Sequence, residues 1–381
     1  MTIFYSTDNI PVHSVRLLWS RDEALHFPTG KMDLAHCSAC GFIRNLSYDP
    51  NMQDYSAEYE STQAYSPTFT AFARRLAQSL VDRYDLYDKD LVEIGCGQGE
   101  FLTLLCELGG NRGIGFDPAY DPARPVVSPS QSVRVIPDYY SDAYTGIKAD
   151  FVCCKMTLEH IRDVGDFVAT VRKAVGDNPA TTVFFQVPDV TRVLEEFAFW
   201  DIYYEHCSYF SLGSIARLFR AKGFEVLDLW RDYGDQYLMI DARPASQPTQ
   251  PSLPQEDDLP ALAAQVKKFR ESVPSILDTW KQTVRGAVAQ GQKVVLWGSG
   301  SKGVAFLTTL GLCNEIAYTV DINPNKRSTY MAGTGQSVVL PEFLEEYRPD
   351  LVILMNPLYQ EEVRQDLARR GLTPHLISVG A

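Results

Sequence analysis

The chain has 381 residues, too many for one ordinary domain, so two or three are expected. Apolar residues make up 45% and charged residues 22%, the proportions of a soluble globular protein. A net charge of −13 argues against sequence-independent phosphate binding, and no apolar run reaches the roughly eighteen residues of a membrane helix.

Residues 1–50 show no regular pattern and read as a small irregular module around Cys37-Ser-Ala-Cys40-Gly41. The first residues, Met-Thr-Ile-Phe-Tyr, lack a basic region followed by an apolar core, so no signal peptide is expected. Cys96, Cys106, Cys153, Cys154 and Cys313 sit in apolar runs, where free cysteine acts as a small hydrophobe. A reducing, cytoplasmic setting fits that usage.

Residues 51–245 alternate strand and helix patterns, which predicts a parallel, doubly covered sheet. Its first strand, Leu91-Val-Glu93-Ile, runs into Gly95-x-Gly97-x-Gly99 and then a helical run from Phe101. The second strand, Gly113–Phe116, ends on Asp117, placed to accept the hydroxyls of a ribose. Glycines let such a turn approach a ligand closely. A dinucleotide fingerprint places its third glycine one residue later. The spacing here, with Glu93 two residues before the first glycine, resembles motif I of class I S-adenosylmethionine (SAM) methyltransferases. That resemblance implies a Rossmann-like fold and makes Glu93, Gly95, Gly97, Gly99 and Asp117 cofactor residues. It also places Asp138 at the adenine amine and Tyr139 at the ring face, after the strand Val133–Ile136. Glu159 and His160, after the strand 149–154, resemble the lip facing the methionine end of SAM and the acceptor. The same pair also reads as charge on the first turn of a helix. Further strands are expected at 182–187, 224–227 and 236–240, the last two as an antiparallel edge, and helices at 163–174 and 214–222.

Tyr203-Tyr-Glu205-His206 lies in a loop with several aromatics, which can shift a neighbouring carboxylate or imidazole. A Pro/Ser/Gln run from Pro244 to Asp258 reads as a linker, and a helical stretch from Leu259 to Gln290 follows, so 246–290 connects two units. Residues 291–381 predict a second Rossmann-like domain, with a strand into Gly298-x-Gly300-x-x-Gly303 and another ending on Asp321. This loosely repeats the first unit. Its glycine spacing also matches a dinucleotide loop.

The order of parts is similar to bacterial nucleotide-sugar C-methyltransferases over nearly the whole chain. It carries the Cys pair, the Tyr-x-Glu-His…Tyr-Phe-Ser segment, Trp297–Gly303, Val320–Lys326 and Leu354–Pro357. The resemblance implies C-methylation beside a carbonyl, with His206 as base and Glu205, Tyr203 and Tyr59 around the acceptor. A tyrosine hydroxyl would then donate to the enolate oxygen. The C-terminal loop would scaffold or grip substrate, and the partner would be a small molecule, not nucleic acid or membrane. Two features depart from that family. Cys37 and Cys40 are one half of its zinc site, which needs four ligands, so a degenerate module is expected. Gly234-Asp-Gln236-Tyr237 replaces a Gly-Gly-Ser-like turn, which leaves open a non-sugar acceptor or an O- or N-methyltransferase.

Overall fold

The computed structural model describes residues 1–54, 59–123, 132–245, 247 and 249–380. Glu58, beside Tyr59, and the linker residues Ser246 and Pro248 lie outside the described residues.

The N-terminal segment is not irregular. β1 (Thr2–Pro11), helix α1 (Arg21–Leu25), β2 (Thr29–His36) and β3 (Ile43–Asn45) form an antiparallel meander around a single helix. Its alternation is hidden because β1 changes register between Ile3 and Tyr5 and again between Thr7 and Ile10. Each bulge turns the next side chain to the other face, so Phe4 and Tyr5 are both buried.

The middle unit runs through α2 (Pro67–Tyr84), β4 (Asp90–Ile94), α3 (Glu100–Gly109), β5 (Arg112–Phe116), β6 (Val133–Ile136), β7 (Phe151–Lys155) and α4 (Val164–Val175). It continues through β8 (Thr182–Pro188), α5 (Val190–Glu195), β9 (Ser208–Tyr209), α6 (Leu212–Ala221), β10 (Phe224–Asp232) and β11 (Tyr237–Pro244). The sheet order is β10-β11-β8-β7-β4-β5-β6, parallel except where β11 pairs antiparallel with β8 and β10. Strand order reverses at β4, whose neighbours are β5 and β7, and ligands bind at that switch point. β9 leaves this unit and joins the N-terminal sheet, pairing Tyr209 with Ile43 and Ser208 with Arg44. The loop carrying Tyr203, Glu205 and His206 is therefore stapled to the N-terminal module.

The connector is not a free tether. Thr249 and Gln250 donate backbone N–H to the buried Glu225 carboxylate, at 2.6 and 2.7 Å. α7 (Leu259–Ala289) then crosses to the last unit, which holds β12 (Val294–Trp297), α8 (Ser301–Leu310), β13 (Tyr318–Val320), β14 (Ser337–Val339), α9 (Leu344–Tyr347), β15 (Leu351–Leu354), α10 (Gln360–Arg369) and β16 (His375–Ser378). Its order, β14-β13-β12-β15-β16, is all parallel and reproduces that of β6-β5-β4-β7-β8. One apolar core runs through all three units: Ile10 and Met32, then Phe199 and Trp200, then Phe269, Phe306 and Leu307. Phe199 stacks on Phe306 at 5.8 Å, which locks the C-terminal unit against the segment leading into Tyr203. Burying side chains of this size stabilises by roughly 1.5–3 kcal/mol each.

Candidate active site

A cavity of about 1870 Å³ opens between the units, lined from the N-terminal module, the middle sheet and the C-terminal sheet. On its cofactor side, Gly95 and Gly97 have φ of +70° and +55°. A Cβ on Gly95 would stand 1.9 Å from Thr157 Oγ1, whereas Gly97 faces open space, a cradle left free for a ligand. Asp117 holds the loop, accepting N–H from Gly97 and Ala119 at 2.8 Å each. Carboxylate oxygens have further lone pairs, so its edge stays able to accept hydroxyls. Burial raises the pKa of Asp117, and those two N–H groups oppose the shift. Glu93 is buried beneath the loop, and its Oε2 has no hydrogen-bond partner among the described residues. Burial pushes Glu93 up to about 7 against the pull of Lys155, whose ammonium lies over the Phe101 ring at 3.5 Å. Asp138 and Tyr139 reach the same cavity. Asp138 accepts the Tyr144 hydroxyl at 2.5 Å, while the Tyr139 ring is exposed. An open cradle, an orphaned carboxylate oxygen and a ribose-level acid fit SAM.

Elsewhere on the cavity wall, Glu205 is tied to the N-terminal module. Its Oε1 accepts both the backbone N–H and the hydroxyl of Ser14, at 2.5 and 2.6 Å, and its Oε2 accepts the Tyr59 hydroxyl at 2.7 Å. The His13 ring stands 3.8 Å from that carboxylate. Burial alone would raise the pKa of Glu205, but His13, His160 and Ser14 outweigh it and hold it at about 2. The Tyr203 hydroxyl donates to Asp201 at 3.1 Å. Both tyrosine protons expected for an enolate oxygen are therefore committed to carboxylates. His206 lies between Tyr203 and His160, at ring separations of 4.4 and 4.8 Å. Burial, reinforced by His160, pushes its pKa well below the usual imidazole value, so the ring is neutral. Glu159 and His160 form a single 3-10 turn rather than the start of a longer helix, and Glu159 is buried. Glu159, His160 and His206 offer ligand-type atoms within 4.8 Å of one another.

Several residues join this site only through the packing of separate units. Asp201 binds Arg192 and accepts Lys302 Nζ at 2.9 Å, and Lys302 also donates to Gln236 at 3.0 Å. The Gln236 amide donates in turn to Asn356 at 2.8 Å. The unusual Gln236 thus reaches across to the C-terminal unit. Lys302 stands inside the glycine motif, but only the docking of α8 shows that it enters the cleft. At Glu60, next to Tyr59, Asn323 and Asn325 donate at 3.2 and 3.1 Å. Asp321 occupies the topological place of Asp117, yet its carboxylate is filled by Ser299, Asn323 and Lys326.

Cys37 and Cys40 are free thiols at the turn between β2 and β3, and among the described residues no third metal-type ligand joins them. His36 is buried nearby, His26 is on the surface beside Asp22, and His13 is at Glu205. The turn instead docks on α6, where Arg217 donates to the Cys40 carbonyl at 2.9 Å.

A family model described as a methyltransferase domain matches residues 69–229, and one described as a C-methyltransferase C-terminal domain matches 241–371. With the sheet order and glycine loop, these define a class I SAM-dependent methyltransferase. C-methyltransferase NovU of Streptomyces niveus is 27% identical over 364 residues, covering 91% of this chain and 85% of that protein. The chain thus carries a methyltransferase domain followed by a C-methyltransferase C-terminal domain, the arrangement of a SAM-dependent C-methyltransferase. Among solved structures, magnesium protoporphyrin IX methyltransferase of Synechocystis, with bound S-adenosylhomocysteine, is 14% identical. It covers 47% of this chain and 84% of that one, with a TM-score of 0.37. The 1,6-didemethyltoxoflavin N1-methyltransferase of Burkholderia thailandensis is 17% identical, covering 45% of this chain and 78% of that one, at a TM-score of 0.36.

Proposed function

We propose that this C-methyltransferase methylates a carbon beside a carbonyl of a small-molecule acceptor, with a nucleotide-linked keto-sugar as the leading class, and that His206 removes the proton. The observation that carries this reading is the position of the buried His206 imidazole on the cavity that the glycine loop also lines. Glu93, the glycine loop, Asp117, Asp138 and Tyr139 would hold SAM, which supplies a methyl group on a sulfonium centre. The chain's own task is to orient the acceptor and make its carbon nucleophilic. Orientation is worth on the order of 7–11 kcal/mol. A positioned base adds roughly 10²–10⁴-fold. Tyr203 and His160 wall the imidazole from water. Glu205, tied to Ser14 and Tyr59, fixes the loop beside it. The relative named C-methyltransferase supports transfer to carbon, and a cavity of about 1870 Å³ has room for both SAM and a nucleotide-linked acceptor.

The test measures exchange of the acceptor's proton for solvent deuterium, over a panel of nucleotide-linked keto-sugars. His206→Gln should abolish exchange and turnover while leaving SAM affinity unchanged. Full activity in that variant would dismiss His206 as the base.

A further inference from the structure

We infer that Glu159 is a catalytic hydrogen-bond donor, a carboxylic acid that binds the acceptor's carbonyl oxygen as the enolate forms. This rests on the proposed enolate chemistry and adds the group that chemistry lacks. When His206 takes the proton, the C–H bond breaks and its electron pair ends as charge on the carbonyl oxygen. A donor must meet that charge. The hydroxyls of Tyr59 and Tyr203 already donate to Glu205 and Asp201. Lys302 spends two of its three N–H groups on Asp201 and Gln236.

Glu159 is different. It is 1% exposed, lines the cavity, and neither of its carboxyl oxygens meets a hydrogen-bond partner among the described residues. Its side chain comes within 4.8 Å of the ring nitrogens of both His160 and His206, on the wall where the acceptor's reacting carbon must sit. An ionised carboxylate buried without a partner is strongly disfavoured. Burial, opposed only by its own backbone N–H, pushes Glu159 up to about 8, so it keeps its proton at neutral pH. A carboxylic acid held neutral by an apolar site can donate a hydrogen bond to an oxygen that gains charge, which an ionised carboxylate cannot do.

The ionisable groups facing Glu159 titrate elsewhere. Burial drives Cys207 up to about 11 and Cys154 and Tyr237 up as well, while His160 and His206 are pushed down. Glu205 is held at about 2. Glu93 belongs to the cofactor side of the cavity.

The experiment follows deuterium exchange on a keto-sugar acceptor, without SAM, across pH. In the wild-type protein the rate should fall as pH rises through about 8, as the donor becomes an anion. Glu159→Gln, which keeps an N–H donor but cannot ionise, should retain part of the rate and lose that alkaline limb. Glu159→Leu should lose roughly 10²–10³-fold, the cost of removing one such donor. Both variants should bind SAM with unchanged affinity. Difference infrared spectra should show a protonated carboxyl band at neutral pH that Glu159→Gln removes. Loss of SAM binding in Glu159→Gln would make Glu159 a cofactor ligand and overturn the inference. So would a limb that persists in Glu159→Gln, or a stoichiometric divalent ion in the purified protein that Glu159→Gln releases. Wild-type exchange with wild-type rates in Glu159→Leu would overturn it and leave the enolate reading standing. No wild-type exchange on any keto acceptor would sink both.

Discussion

Replacing Glu205 with Gln separates anchoring from catalysis. Its carboxylate is fully buried and receives Ser14 twice and Tyr59 once, so it ties the N-terminal module to the acceptor loop. The ordinary value of 4.5 falls to about 2, a depression worth about 3 kcal/mol at neutral pH. The folded pKa is the lower one, so this stabilisation is complete above 4.5 and lost as pH falls through about 2. In Glu205→Gln the amide oxygen can still accept from Ser14, but its NH₂ group meets Tyr59 as a second donor. Hydrogen bonds to charged groups are worth about 1.5–3 kcal/mol each, so a local loss of about 2–3 kcal/mol is expected. A chain of several units need not unfold in two states, and a single melting temperature is the wrong readout. Native-state hydrogen exchange at residues 12–16 and 59–63 is the right one, since it reports local opening. Exchange there should accelerate by roughly 30–150-fold, with the C-terminal sheet unaffected. Unchanged protection together with lost turnover would refute the anchoring argument and make Glu205 a group that touches the acceptor.

Asp117→Ala removes the ribose-level acid and orphans the Gly97 N–H, so SAM affinity should fall by about 10–100-fold, read by calorimetry. An unchanged affinity would remove Asp117 from the cofactor site. Lys302→Met leaves Arg192 as the cation on Asp201 and cuts the bond to Gln236, so acceptor KM should rise at least about tenfold while SAM affinity holds. A KM equal to wild type would mean that Lys302 serves only to dock α8.

The glycine turn and the placement of Asp117 beside it were legible because their determinants are local. The turn from β4 to α3 requires left-handed glycines in a fixed spacing, and the acid at the end of β5 follows within one strand–helix–strand unit. The antiparallel edge and the second Rossmann-like sheet were legible because strand and helix patterns alternate along the chain. The N-terminal sheet was not. Its two bulges interrupt the period of two, and its fourth strand, β9, is a pair of residues from the middle unit. The acceptor half was legible only in part. Tyr203, Glu205 and His206 stand close together in sequence, but Glu205 turns away to Ser14, 191 positions earlier. Asp201 finds Lys302 101 positions later. No spacing encodes such pairs, because the docking of separate units creates them.

The repeated strand order explains why the two halves of the cleft differ. A doubly wound sheet places its binding crevice at the carboxyl ends of the strands flanking the reversal. Here the reversals at β4 and β12 both border one cavity. The acids that follow, Asp117 and Asp321, hold equivalent places but different partners. Among the described residues, Asp117 receives only backbone N–H groups from its own loop and the turn beyond it, so its edge remains open to the cavity. Asp321 receives the Ser299 hydroxyl and the Lys326 ammonium, a neutralised cluster with nothing to offer a ribose. Burial would raise the Asp321 pKa, but Lys326 and Ser299 overcome it and keep the group ionised. The second glycine loop therefore contributes Lys302 rather than an acid. Lys302 is committed to Asp201 and Gln236 and ties the C-terminal unit to the middle one, while the first loop leaves a carboxylate edge open to the cavity.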